Sequence, residues 1–240
     1  MKKKKVGVLT FSDGRKYVHE DLLDVNLRYQ KRLKEALEAT GEVEVVTGEE
    51  IVWTSEIAQR EGRRLAQAGV DMTICNFAIW TFPNLTAVAT RFAPGPYLLF
   101  CNINPSEPGM VAMLANAGMM DQLGLTYERV WGDIEDPEVL ERVMAFIRPA
   151  SALSNLNGET YGLFGGRPLG MYTAVSDQTA WMSKFGVDVE HIEQYDIMRL
   201  SEEVDPDKVE HALQWLERYV GDIRYDGEIL TPEKLKMQIQ

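Results

Sequence analysis

The sequence predicts an α/β protein, with a parallel three-layer domain over residues 1–157 followed by the first part of a second α/β domain over residues 158–240. Two observations predict it. Short apolar runs alternate with helical patterns along the first two-thirds of the chain, the rhythm of right-handed βαβ crossovers. After the polar linker Ser154–Glu159, a glycine-rich segment, Tyr161–Thr173, opens the same rhythm again. The second series is short: one further strand-like run and one long helix follow, and Gln240 falls inside the next helix. A parallel sheet of two strands cannot bury both faces, so the second domain reads as truncated.

The elements follow in order. Val6–Phe11 is a continuous apolar run of the kind buried on both faces of a parallel sheet. After the polar loop Ser12–Arg15, Leu23, Leu27, Leu33 and Leu37 recur at helical spacing, predicting a helix from about Glu20 to Ala39 that ends at Gly41. Val43–Val46 is a second strand, and Thr54 or Ser55 caps a helix to Ala68, stopped by Gly69. Asp71–Ile79 is the third strand, followed by the Trp80–Pro83 loop and a short helix, Thr86–Phe92. Pro96–Asn102 and Met110–Gln122 form the next strand and helix. Tyr127–Trp131 and Pro137–Leu153 complete the series, with Pro137 placed for a first helical turn. Five such strands fit a flavodoxin-like order of 2-1-3-4-5 within a Rossmann-like class of fold. In the second domain, Asp177–Phe185 is a helix ended by Gly186, Val187–Ile192 a strand, and Asp205 caps a helix through Val220.

Composition narrows the function classes. The chain has 240 residues, enough to bury a sizeable core, and its 45% hydrophobic and 26% charged content is that of an ordered globular protein. A formal net charge of −12 argues against a nucleic-acid backbone or an anionic membrane surface as partner. The basic run Lys2–Lys5 leads straight into a strand, not into the apolar core of a secretory signal, and no run is long enough to span a bilayer. Cys75 and Cys101 fall in predicted buried strands without a metal or redox spacing, which suits free thiols in a reduced, cytoplasmic setting.

In open parallel sheets, ligands collect beyond the carboxyl ends of the strands, so the loops there carry the candidate chemistry. Arg15, after strand one, can hold a hydroxyl or anion by paired donors, or be an ordinary surface arginine. Trp80, after strand three, can stack on a sugar, sit at a subunit contact or simply be core. Asn102-Ile103-Asn104-Pro105 offers uncharged amides that suit polyol hydroxyls, or forms an Asn-rich turn. Gly165-Gly166-Arg167-Pro168 is neither a dinucleotide fingerprint nor a Walker loop. His19, His191 and His211 lack a second ligand at zinc spacing, and no nucleophile elbow is present. The residues therefore describe a loop-built pocket for a polar, uncharged ligand without a complete catalytic set.

Three stretches together resemble the L-fucose isomerase family: Ser12-Asp13-Gly14-Arg15, the Trp80 loop, and Tyr161-Gly-Leu-Phe-Gly-Gly-Arg-Pro-Leu-Gly-Met-Tyr-Thr173. The phrase Trp181-Met-Ser-Lys-Phe-Gly-Val-Asp-Val-Glu-His-Ile192 adds to the match. The resemblance implies an aldose–ketose isomerase working through an ene-diol on L-fucose, D-arabinose or a similar sugar. It implies a divalent cation, typically Mn2+, and a homo-oligomer, hexameric in the complete enzyme. It also implies that Arg15 contacts sugar hydroxyls, that Trp80 packs on a sugar bound by a neighbouring subunit, and that Leu169 lines the pocket. The family's metal-binding carboxylates and histidine lie beyond Gln240. The expectation is thus the N-terminal region of such an enzyme, as a truncated chain, a proteolytic product or one piece of a split enzyme, inactive alone. The alternatives are a non-catalytic sugar-binding or assembly module of the same fold, and a flavodoxin-like domain with an unrelated ligand.

Overall fold

The computed structural model describes residues 3–104, 106–167 and 169–240. Lys2 of the basic run, Pro105 of the Asn-rich turn and Pro168 of the glycine-rich segment lie outside the described residues. Contacts divide the chain into two compact units, one ending at Asn157 and the other beginning at Gly158.

The first unit is built on a five-stranded parallel sheet in the order β2-β1-β3-β4-β5. The strands are β1 (Lys4–Phe11), β2 (Val43–Thr47), β3 (Met72–Phe77), β4 (Tyr97–Cys101) and β5 (Tyr127–Trp131). Its helices are α1 (Lys16–Asp21), α2 (Leu23–Ala39), α3 (Ser55–Ala68), α4 (Pro83–Ala89), α5 (Gly109–Gln122) and α6 (Pro137–Leu156). Strand alternation sorts the core into two layers. Val6, Val8, Met72, Ile74, Leu98 and Phe100 face one side and pack with residues of α2 and α6. Leu9, Phe11, Cys75, Phe77, Leu99 and Cys101 face the other and pack with α3, α4 and α5. Each such fully buried large side chain contributes roughly 1.5–3 kcal/mol by leaving water. This is the three-layer arrangement expected from continuous apolar strands.

Local signals explain most boundaries. Thr54 Oγ1 accepts the Ile57 N–H at 3.3 Å, and Gly69 closes α3 in the left-handed conformation. Pro83 and Pro137 stand in the first turns of α4 and α6. The α4 helix therefore starts three residues before the expected Thr86 and ends at Ala89, short of Phe92. The helix expected from Glu20 is two helices meeting at Leu22, because the chain turns helical directly after Arg15. The α6 helix runs through Pro149 to Leu156 and so takes up the first part of the expected linker.

The second unit holds a separate two-stranded parallel sheet, β6 (Thr160–Phe164) with β7 (Asp188–Ile192). Around it lie α7 (Gln178–Phe185), α8 (Gln194–Ser201), α9 (Pro206–Val220) and α10 (Pro232–Ile239). The α8 helix was not expected from the sequence. Among the described residues of this unit the buried hydrophobic side chains are Val187, Val189 and Val209, whereas Phe164, Met171, Tyr172, Tyr195, Trp215 and Ile229 are exposed.

Candidate functional site

The order β2-β1-β3-β4-β5 reverses direction between β1 and β3. The chain leaves β1 toward α2 on one face of the sheet and leaves β3 toward α4 on the other. The two loops therefore diverge and frame a crevice at the carboxyl edge, the place where open α/β sheets take ligands. Arg15 and Trp80 are carried by these two loops.

On the β1 side, Asp13 is buried and clamps Arg15 three ways. The Arg15 Nε donates to Asp13 Oδ1 at 2.9 Å, its Nη2 donates to Oδ2 at 2.6 Å, and its backbone N–H donates to Oδ1 at 2.9 Å. The arginine side chain is 53% exposed while that of Asp13 is 1% exposed. The pair is thus anchored on its carboxylate and open on its guanidinium. The hydrogen bond from Arg15 holds the Asp13 carboxyl below its ordinary 3.8, against the opposing effect of burial. One fork of the guanidinium is committed to Asp13, which leaves the Nη1–Nη2 edge for a ligand. Nη1 also lies 3.4 Å from the hydroxyl of exposed Tyr17, to which it donates.

Aromatic side chains surround this edge. The Arg15 guanidinium carbon lies 5.8 Å from the Tyr17 ring centre and 6.0 Å from that of Phe82. Phe82 meets Trp80 edge-to-face with centroids 5.7 Å apart. Trp80 is partly buried against the core layer of Phe77 and Leu99, so its ring is fixed. Arg15 and Trp80 are linked through Phe82, which sequence reading passed over because its side chain could equally have been core. Below them Asn76 Nδ2 donates to Thr10 Oγ1 at 3.0 Å, tying β3 to β1, while Asn76 Oδ1 and Thr81 Oγ1 are buried without a hydrogen-bond partner among the described residues.

The asparagine candidates of the first unit have backbone partners. Asn102 is buried, and its Oδ1 accepts the Ile134 N–H at 3.2 Å; Asn104 Oδ1 accepts the Ser106 N–H at 3.1 Å. The first ties the end of β4 to the segment after β5, and the second closes a local turn. Leu169 belongs to the second unit, fully exposed with φ 31°. Arg167 there lies over the Tyr172 ring at 4.6 Å. His191 and His211 are exposed. Cys75 and Cys101 are buried and free, and burial pushes both thiols up to about 12. Among the described residues no three His, Cys, Asp or Glu side chains are gathered as a metal-ligand set, and no helix is long and apolar enough to cross a membrane.

Fold and crevice together define the class: an open parallel α/β domain with a loop-built, arginine- and aromatic-lined site at its topological switch point. Residues 3–158 match the family model described as L-fucose isomerase, first N-terminal domain. The chain belongs to the L-fucose isomerase family. It is 26% identical over 250 residues to the L-fucose isomerase of Phocaeicola vulgatus, an alignment covering 97% of this chain and 42% of that protein. The L-fucose isomerase of Bacteroides fragilis is 25% identical over 254 residues, covering 98% of this chain and 42% of the relative. That of Haemophilus influenzae strain PittEE is 24% identical over 233 residues, covering 90% and 39%. The chain thus spans about two-fifths of the length of these curated relatives.

Proposed function

We propose that this chain supplies the substrate-contact loops of a metal-dependent ketol isomerase acting on L-fucose, D-arabinose or a similar sugar. The observation that supports it best is the Asp13–Arg15 clamp set among Tyr17, Phe82 and Trp80 at the crevice. A guanidinium already neutralised by a buried carboxylate offers directional N–H donors without a net positive charge, and flanking aromatic faces suit the C–H surface of a sugar ring. Arg15 would hold ring or chain hydroxyls, and Trp80 would pack on the sugar. The divalent cation, Mn2+ or similar, would polarise the carbonyl and hold two substrate oxygens, bound by residues outside these 240, which would also supply the acid/base pair. The working enzyme would be a homo-oligomer in which this crevice, Trp80 with it, meets a sugar bound by a neighbouring subunit.

Saturation-transfer NMR with L-fucose and D-arabinose tests the sugar reading on the 240-residue protein, since the method detects weak ligands. Transfer is expected in the wild type. Arg15→Ala should weaken binding about tenfold or more, the scale of hydrogen bonds from a charged donor, and Trp80→Ala should reduce transfer to the sugar C–H protons. Absence of transfer in the wild type refutes the assignment of Arg15 and Trp80. Ketose formation by the 240-residue protein with Mn2+ alone would refute the placement of the metal and acid/base groups elsewhere.

A further inference from the structure

His19 lies outside the proposed contact set, yet three ties place it at the junction of the crevice. Its backbone N–H donates to the Arg15 carbonyl at 3.0 Å, as part of the first turn of α1. Its Nδ1 lies 3.1 Å from Ser12 Oγ. Its ring stacks flat on Trp53, with centroids 4.9 Å apart and planes 9° from parallel. The circuit closes through the backbone, because the Ser12 N–H donates to the Val52 carbonyl at 2.8 Å, one residue before Trp53. Arg15 is enclosed in this loop, between Ser12 and His19.

The helix that carries His19 does not hold itself in place. The six-residue α1 has no side-chain cap at Arg15, its N-terminal flank, and a helix so short does not persist on its own hydrogen bonds. His19 is the residue of α1 that is buried. Its ring is therefore the buried side-chain anchor of the helix, beside the Asp13 clamp on the preceding turn and the Leu22 N–H to Val18 carbonyl bond that leads into α2.

We propose that His19 is a positioning residue for Arg15, fixing the Ser12–Arg15 turn against Trp53 and so setting the direction of the guanidinium without meeting the ligand. Its consequence for sugar binding rests on the function proposed above; the positioning itself does not. The charged groups acting on the imidazole are Glu20 on its own helix and Glu50 on the segment leading to Val52. Glu50 is paired with Arg60, and Asp13 with Arg15. Burial pulls the imidazole below its ordinary 6.5, opposed by Glu20 and Glu50. Protonation converts Nδ1 to an obligatory donor toward Ser12 and adds a second cation beside the turn that carries Arg15.

Two-dimensional NMR of the 240-residue protein reads this directly through the Arg15 Nε–H cross-peak, followed from about pH 5 to about pH 8 across the ordinary histidine range. The wild-type peak is expected to titrate with His19, and the titration to vanish in His19→Asn and His19→Phe. His19→Asn places an amide near Nδ1 and should keep the peak close to its neutral-pH position. His19→Phe keeps the stack but loses the Ser12 contact, and should displace the peak and lower sugar transfer several-fold. A wild-type Arg15 peak that stays fixed across this range, or one unmoved in folded His19→Phe, overturns the proposal. If His19→Phe does not fold, the wild-type titration and its loss in His19→Asn decide. A titrating Arg15 peak without sugar transfer in the wild type supports positioning and refutes the sugar reading instead.

Discussion

The Asp13–Arg15 pair gives the first unit a pH-dependent component with a defined sign. The Asp13 carboxyl is held below 3.8 in the fold, whereas in the unfolded chain it returns to about 3.9. The unfolded state therefore takes up this proton first. The pair's stabilisation is complete above about pH 4 and is lost as pH falls through the folded-state value. Asp13→Asn should lower the urea midpoint at pH 7, and the gap to the wild type should shrink progressively below about pH 4. A gap that stays constant down to about pH 3 would show that Asp13 is not ionised and paired with Arg15 in the folded protein. Sequence reading left Arg15 open from its loop position and singled it out through the family resemblance. It missed the clamp because a carboxylate two residues from an arginine is commonplace, and only the fold reveals that Asp13 is buried and Arg15 is not.

At the level of elements, close packing between helices and strands rests on missing side chains. A Cβ at Gly109, which opens α5, would stand 2.6 Å from the Phe77 carbonyl oxygen and 3.0 Å from that of Ala78. Backbone cannot yield as a flexible side chain would, so Gly109→Ala should destabilise the first unit by about 1–3 kcal/mol. Urea unfolding measures this, and an unchanged midpoint would mean that α5 can shift away from β3. The strands were legible because apolar runs buried on both faces leave a continuous signal, and β5 was expected at its observed bounds. Helix starts were harder to place. Pro83 begins α4 where sequence reading left it in a loop, and α1 was hidden because its six residues cover too little of a helical period to show a pattern. The α8 helix was missed for the same reason: eight residues, with Tyr195, Met198 and Leu200 exposed, leave no buried stripe to recognise.

Across the whole molecule, stability is unevenly distributed. The first unit has two extensive core layers, while the buried hydrophobic residues described in the second are three valines. Native-state openings follow buried apolar contact. Hydrogen exchange should therefore find the slowest amides in β1, β3 and β4, and much faster exchange in β6 and β7. Limited proteolysis should leave a resistant fragment ending near Asn157. Equal protection of β6 and β3 would refute this ranking. Parallel architecture was readable from the alternation of runs, and so were the carboxyl-edge loops that carry the candidate residues; the strand order fitted a known pattern, but alternation alone does not fix which strands are neighbours. The aromatic and histidine contacts around Arg15 were not, because they join Ser12, His19, Trp53 and Phe82 from separate loops whose meeting is a property of the sheet.

The position of β1 has a consequence for how the chain is made. Of the five strands in its sheet it is the first to leave the ribosome, yet both its neighbours come later: Val43–Thr47 on one side and Met72–Phe77 on the other. Until the second of these emerges, Val6, Val8, Leu9 and Phe11 have no complete sheet to enter. Vectorial synthesis thus carries an apolar strand of the first unit unprotected for roughly seventy residues, about 3.5–14 s at elongation speeds of about 5–20 residues per second. Lys4 and Lys5, which pair with Glu42 and the Ala68 carbonyl only once those residues have been made, would leave that waiting segment charged at its start.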